Sequence, residues 1–142
     1  QERPCILIVD DQIAWREALA AMLNSDVYEI ETAGSYEEAK RKLRQRTFDV
    51  LVTDQRLVDA DESNVQGILL LDEINELQAG TQAIIVTGYP TIEAAKTALK
   101  ERNAFDYIVK MPEGGGPFDI IYFRQQVKNA VVVARYERAK LA

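Results

Sequence analysis

Residues 5–11 read Cys-Ile-Leu-Ile-Val-Asp-Asp. An apolar run without a polar break stops abruptly at two carboxylates. A strand with one wet face alternates apolar and polar residues. An unbroken run of this length suits a strand covered on both faces, as in a parallel sheet. Four further short runs rich in β-branched and apolar residues lie at 28–32, 50–53, 83–87 and 106–109. The segments between them carry helical periodicity. Residues 13–23 set Trp15, Leu19, Met22 and Leu23 on one face. Ser35-Tyr-Glu-Glu38 is a capping box that opens a helix to about Gln45. Residues 68–77 place Leu70, Leu71, Ile74 and Leu77 on one stripe. Thr91 is an N-cap for a helix expected to turn Ile92, Ala95 and Leu99 inward. A last helix is expected after Pro117, near Phe118, running toward the end of the chain.

Strands that alternate with helices of this length imply βαβ units. Right-handed crossovers then leave few topologies. The expected fold is α/β: a doubly wound, five-stranded parallel sheet with helices on both faces and the flavodoxin-like order 2-1-3-4-5. No repeat or second domain is visible, so residues 1–142 are read as one domain. Two segments depart from regular spacing. One is an acidic loop at 55–66; the other, at 111–117, contains Gly114-Gly-Gly116. Loops of this size are often functional.

The composition narrows the function. The chain has 142 residues, 47% of them hydrophobic and 28% charged, as in an ordinary globular domain. A net charge of −6 argues against binding a nucleic-acid backbone or an anionic membrane surface through this segment. No apolar run approaches the roughly 18 residues of a membrane span. The single cysteine, Cys5, excludes an internal disulfide and suits a reducing, cytoplasmic setting. There is no histidine. Ser-His-Asp and Cys-His catalysis, and any His-ligated metal, are therefore excluded within the chain.

The residues with chemistry sit at strand ends. Asp10 and Asp11 follow the first strand and Asp54 the third; Thr87 ends the fourth and Lys110 follows the fifth. In an open parallel sheet these ends share one edge, and ligands bind there at the switch point. Three neighbouring carboxylates repel one another and call for a cation. Hard oxygen ligands on a shallow edge suit Mg²⁺. One carboxylate can then attack phosphorus, with a hydroxyl and an ammonium to hold the equatorial oxygens. Thr87 and Lys110 supply these, and Gly88 leaves room beside Thr87.

Four stretches carry a family resemblance: Ile-Leu-Ile-Val-Asp-Asp at 6–11, Val-Leu-Val-Thr-Asp at 50–54, Ile-Ile-Val-Thr-Gly at 84–88 and Tyr-Ile-Val-Lys at 107–110. In this order and spacing they resemble the signatures of response-regulator receiver domains, over nearly the whole chain. The resemblance implies a phosphorelay switch that is not an enzyme beyond its own phosphorylation and autodephosphorylation. Asp54 would accept the phosphoryl group. Asp11 would bind Mg²⁺ directly, Asp10 directly or through water, and the Arg56 carbonyl would add a ligand. Thr87 would hydrogen-bond the phosphoryl group and Lys110 would pair with it. Tyr107 would be the aromatic that turns inward when Thr87 moves, while Arg56 and Tyr89 would modulate hydrolysis. The donor would be a phosphohistidine on a histidine kinase or phosphotransfer protein.

The sequence also departs from the family. Proline usually follows the lysine in a cis peptide, whereas here Met111 intervenes before Pro112. A cis bond without proline costs roughly 3 kcal/mol. Leu57-Val58 replaces the usual Met-Pro, and the loop after it is longer.

A receiver-like module that binds partners without phosphorylation is opposed by the intact Asp10, Asp11, Asp54, Thr87 and Lys110. An aspartyl-phosphate hydrolase wants a second acid where Arg56 stands. A flavin carrier would not place Asp10-Asp-Gln12 against a phosphate. The stretch 59–64 hints at calcium, but the twelfth position of such a loop would be Leu70, not Glu. Trp15 reads as core, close enough to Asp11 to report a metal. Val127, Val131, Ala134 and Leu141 fall at roughly coiled-coil spacing, interrupted by Arg138. The last helix is expected to pack on the sheet and then continue toward an output domain or a homodimer partner, or to end as a frayed extension.

Overall fold

A computed structural model describes residues 2–141. Its strands are β1 (Cys5–Val9), β2 (Glu29–Ala33), β3 (Val50–Thr53), β4 (Gln82–Thr87) and β5 (Asp106–Val109). All pairs are parallel and the order is β2-β1-β3-β4-β5, as expected. The register aligns Val9 with Thr53 and Thr87 with Val109. The carboxyl ends of β1, β3, β4 and β5 therefore meet along one edge.

The helices are α1 (Ile13–Met22), α2 (Tyr36–Gln45), α3 (Gln66–Leu77), α4 (Ile92–Lys96) and α5 (Ile120–Leu141). A π-helical turn, Thr97–Glu101, continues α4. Alternate strand residues feed two cores. Leu7, Val9, Leu51 and Ile85 pack with Leu43 of α2 and with Leu70, Leu71 and Ile74 of α3. Ile6, Ile8, Val50, Val52, Ile84 and Val86 pack with Leu19 of α1 and with Phe123 and Val127 of α5. Each fully buried branched side chain contributes roughly 1.5–3 kcal/mol. No described helix is long and apolar enough to cross a membrane.

Local signals account for several boundaries. Ser35 Oγ accepts from the Glu38 N–H at 3.2 Å, and the Glu38 carboxylate accepts from the Gly34 N–H at 2.8 Å. The reciprocal bond thus reaches one residue before the cap. Thr91 Oγ1 caps α4 through the Ala94 N–H at 3.0 Å. β2 lies one residue later than the sequence predicts, and α3 begins two residues earlier.

Two inward faces expected from the sequence are corrected. Ile92 is 85% exposed and Leu99 is also exposed, while Ala98 is the buried residue of this segment. The π turn adds residues to the helical repeat, so a regular 3.6 template loses phase there. Leu77 is exposed as well, because α3 stops there and Gln78 takes a left-handed conformation with φ 49°.

α5 is tied to the floor of the sheet. Val127, Val131 and Ala134 are buried against it. Asp49 accepts from the Cys5 N–H at 2.9 Å and from Arg138 Nη1 at 2.9 Å. Arg138 also donates to the Ala79 carbonyl at 3.0 Å. The stripe read as a coiled-coil seam is therefore used within the domain, apart from the exposed Leu141.

Candidate functional site

At the carboxyl edge, three distant residues meet in one buried ion cluster. Lys110 Nζ lies 2.7 Å from Asp10 Oδ2 and 2.7 Å from Asp54 Oδ2. All three side chains are almost wholly buried. Burial alone would lower the lysine pKa, but the charges of Asp54 and Asp10 and their hydrogen bonds outweigh it and raise the pKa. Burial raises the Asp10 pKa, against the lowering effect of its bonds to Lys110 and the Gln12 N–H.

Asp11 completes the acidic group differently. Its Oδ2 accepts from the Asp59 N–H at 2.7 Å, so the long acidic loop closes over the site. Its Oδ1 is the one buried side-chain oxygen or nitrogen among the described residues with no hydrogen-bond partner. A buried acceptor left unpaired costs about 1–3 kcal/mol. No group of three acidic, His or Cys side chains among the described residues stands ready as a metal cage. The Lys110 ammonium instead bridges Asp10 and Asp54. The orphaned Asp11 oxygen and the all-oxygen donor set nonetheless fit a hard cation such as Mg²⁺.

The other expected residues cluster around this centre. Thr87 is buried; its Oγ1 accepts from the Tyr89 N–H at 3.1 Å and its carbonyl from the Lys110 N–H at 2.8 Å. A β-carbon on Gly88 would meet only Lys110 Cδ, at an ordinary 3.7 Å. The Arg56 N–H faces Asp54 Oδ1 at 3.4 Å, and the Arg56 guanidinium stacks 3.6 Å from the Tyr89 ring centre. Tyr107 is half-buried and donates through its hydroxyl to Gln55 Oε1 at 2.6 Å. All described peptide bonds are trans, including Lys110–Met111.

One residue at the site is not singled out by the sequence, and another gains a second role. Trp15, expected as core and close enough to Asp11 to report a metal, packs on the core; its ring also lies 4.8 Å from Lys110 Nζ and edge-on against Phe118 at 5.7 Å. Its position one turn after Asp11 was the available signal. Gln55 is 6% exposed and follows Asp54 directly, but a lone glutamine carries no pattern that would single it out.

Comparisons with known proteins converge. The response regulator receiver domain family model matches residues 6–114. Transcriptional regulatory protein ZraR of Escherichia coli O157:H7 is 36% identical over 105 residues, covering 74% of this chain and 22% of that protein. The chain spans about a quarter of the length of the curated relatives it matches. A CheY-like response regulator receiver domain protein from Methanospirillum hungatei superposes with a TM-score of 0.79 at 26% identity, covering 96% of this chain and 99% of that one. NtrX from Brucella abortus, in complex with ADP, gives 0.77 at 25% identity, covering 97% and 28%.

Proposed function

The chain belongs to the response regulator receiver domain family, the phosphorylation-dependent signalling switches of two-component systems, and from this premise we propose that Asp54 accepts a phosphoryl group from a partner's phosphohistidine. The observation that carries this reading is the buried contact of Lys110 Nζ with both Asp54 and Asp10 at 2.7 Å. Such an ammonium is placed to meet the charge that arrives with a phosphoryl group.

Asp54 and Asp11 would be the carboxylates that hold Mg²⁺, with Asp10 directly or through water and the Arg56 carbonyl as further ligands. When bound, the ion neutralises the crowded carboxylates and the equatorial phosphoryl oxygens. Asp54 attacks phosphorus in line, forming an O–P bond as the donor's N–P bond breaks. Lys110 then pairs with a phosphoryl oxygen. Thr87 turns its hydroxyl toward another, drawing the β4–α4 loop with it, and Tyr107 follows. The surface of α4, β5 and α5 changes which partner it accepts. That partner is a linked output domain or a second copy of the domain. Ile92 and Leu99, both exposed on this surface, suit such a contact. Arg56 and Tyr89 set how fast water reaches the acyl phosphate.

Intact mass after incubation with acetyl phosphate and Mg²⁺ tests the central step. Wild type is expected to gain one phosphoryl group and Asp54→Ala none. Equal gain in both, or gain in neither, rejects the reading.

A further inference from the structure

Gln55 is buried, yet nothing in the phosphorylation chemistry uses it. Both halves of its amide are engaged. Nε2 donates to the Tyr89 carbonyl at 2.6 Å, and Oε1 accepts from the Tyr107 hydroxyl at 2.6 Å. Its backbone has little freedom. The Gly67 N–H donates to the Gln55 carbonyl at 3.1 Å. A β-carbon on Gly67 would lie 2.9 Å from Gln55 Cα, so α3 presses directly against this segment. The main chain of residue 55 is held, and only the side chain can move.

The bonds form a continuous line. Thr87 Oγ1 holds the Tyr89 N–H at 3.1 Å, the Tyr89 carbonyl holds Gln55, and Gln55 holds Tyr107. A displacement of Thr87 toward Asp54 strains its bond to Tyr89. The carbonyl of that same residue then moves relative to the fixed Gln55 backbone. The amide cannot keep both partners at 2.6 Å once they separate. An unpaired buried amide or phenol is costly, so the two bonds are made or lost together.

We infer that Gln55 is a positioning residue that ties the orientation of Tyr107 to the β4–α4 loop, so that loop and ring change state as one unit. This rests on the functional reading above only in treating Tyr107 and the loop as moving parts. Gln55 touches no reacting atom. It acts through Tyr107 and Tyr89, the two residues its amide joins.

The test uses protein labelled with 3-fluorotyrosine, with the Tyr107 resonance assigned by Tyr107→Phe. Fluorine spectra of wild type, Gln55→Leu and Gln55→Met are recorded before and after addition of Mg²⁺ and beryllofluoride. In wild type the Tyr107 resonance is expected away from the solvent position and to shift on activation. In both variants it is expected to move at least halfway toward the urea-denatured value before activation, and to lose most of its response afterwards. A Tyr107 resonance that stays at the wild-type position in both variants overturns the inference. So does loss of folding in both variants, which makes Gln55 a purely structural residue. A wild type that fails to respond to beryllofluoride counts against the phosphorylation reading, while the unactivated spectra still decide the role of Gln55.

Discussion

Lys110 Nζ stands 4.8 Å from the centre of the Trp15 ring, so the chain's only tryptophan forms a wall of the ion cluster. The indole face attracts the ammonium; Phe118 packs edge-on against the indole, and Phe123 packs in turn against Phe118. This explains how Lys110 is aimed although its following peptide is trans and carries no proline. A cation–π contact is worth about 0.5–2 kcal/mol. Trp15→Leu is therefore expected to slow phosphorylation by acetyl phosphate by about two- to thirtyfold. In wild type, saturating Mg²⁺ should change the tryptophan emission. A fully active Trp15→Leu would show that the lysine needs no such wall.

The unpaired Asp11 oxygen makes a prediction about metal and stability. A ligand that binds only the folded state stabilises it, by about 1.4 kcal/mol at ten times its dissociation constant. Mg²⁺ at that level should raise the melting temperature of wild type. Asp11→Asn removes one charge from the acidic group, so without metal it should melt higher than wild type, by the equivalent of about 1 kcal/mol. Its melting temperature should no longer respond to Mg²⁺. Thermal scans with and without metal check both signs, and an unchanged metal response in the variant would exclude Asp11 as a ligand.

Arg56 and Tyr89 lie face to face across the mouth of the site. An exposed stack of this kind contributes about 0.5–1 kcal/mol. Its loss should let water in and shorten the acyl-phosphate lifetime by about two- to fivefold. Arg56→Ala and Tyr89→Ala should have similar effects, and the double variant should add little to either, because each single change already breaks the pair. Decay of the phosphorylated species, followed by mass, decides this; additive effects would mean that the residues act separately.

The α2 cap links stability to pH. The Gly34 N–H holds the Glu38 carboxyl below its ordinary pKa, with Lys42 assisting at 3.6 Å. A depressed carboxyl pKa contributes stability that is complete above the unfolded value and is lost as pH falls through the lower, folded one. Glu38→Gln should therefore cost stability at neutral pH, by about 0.5–1 kcal/mol, and the gap to wild type should close in acid. Denaturant midpoints at neutral and acidic pH measure it. A gap that persists in acid would remove charge from the account.

Asp49 is a separate, structural ion pair at the opposite end of the sheet. It is buried and serves both the first N–H of β1 and the guanidinium of Arg138. Removing it leaves a part-buried N–H and the Arg138 guanidinium unpaired, so Asp49→Ala should cost about 2–4 kcal/mol. Arg138→Ala should cost less, because Arg135 already lies 3.7 Å from the same carboxylate. Chemical denaturation ranks the two, and the reverse order would show that Arg138, rather than Asp49, fastens α5.

The fold was legible where residue type and period agreed. The runs ending in Asp10-Asp11, Asp54 and Thr87 are buried strands, the run ending in Lys110 is a half-buried edge strand, and their common edge follows from parallel pairing. Thr91 and Ser35 announced their helices because a cap needs only local atoms. The inward face of α4 was not legible. Small alanines there do the packing while larger Ile92 and Leu99 face outward, and a π turn shifts the phase. The contact of Trp15 with the lysine, and the place of Gln55, are not legible for a different reason. Their importance lies in contacts with Lys110 and Tyr107, far away in sequence, and neither residue type announces such a partner.

At Gly67 a β-carbon would fall 1.6 Å from the Asp54 carbonyl oxygen, a distance that no side chain can occupy. The span that leaves Arg56 must return to this one spot, and Asn64 Oδ1 draws its two ends together by accepting from the Leu57 N–H at 3.0 Å. Residues 58–63 are thus an excursion with fixed departure and landing points. Within that excursion the Asp59 N–H is fastened to Asp11 Oδ2 at 2.7 Å, whereas the landing point admits a single amino acid.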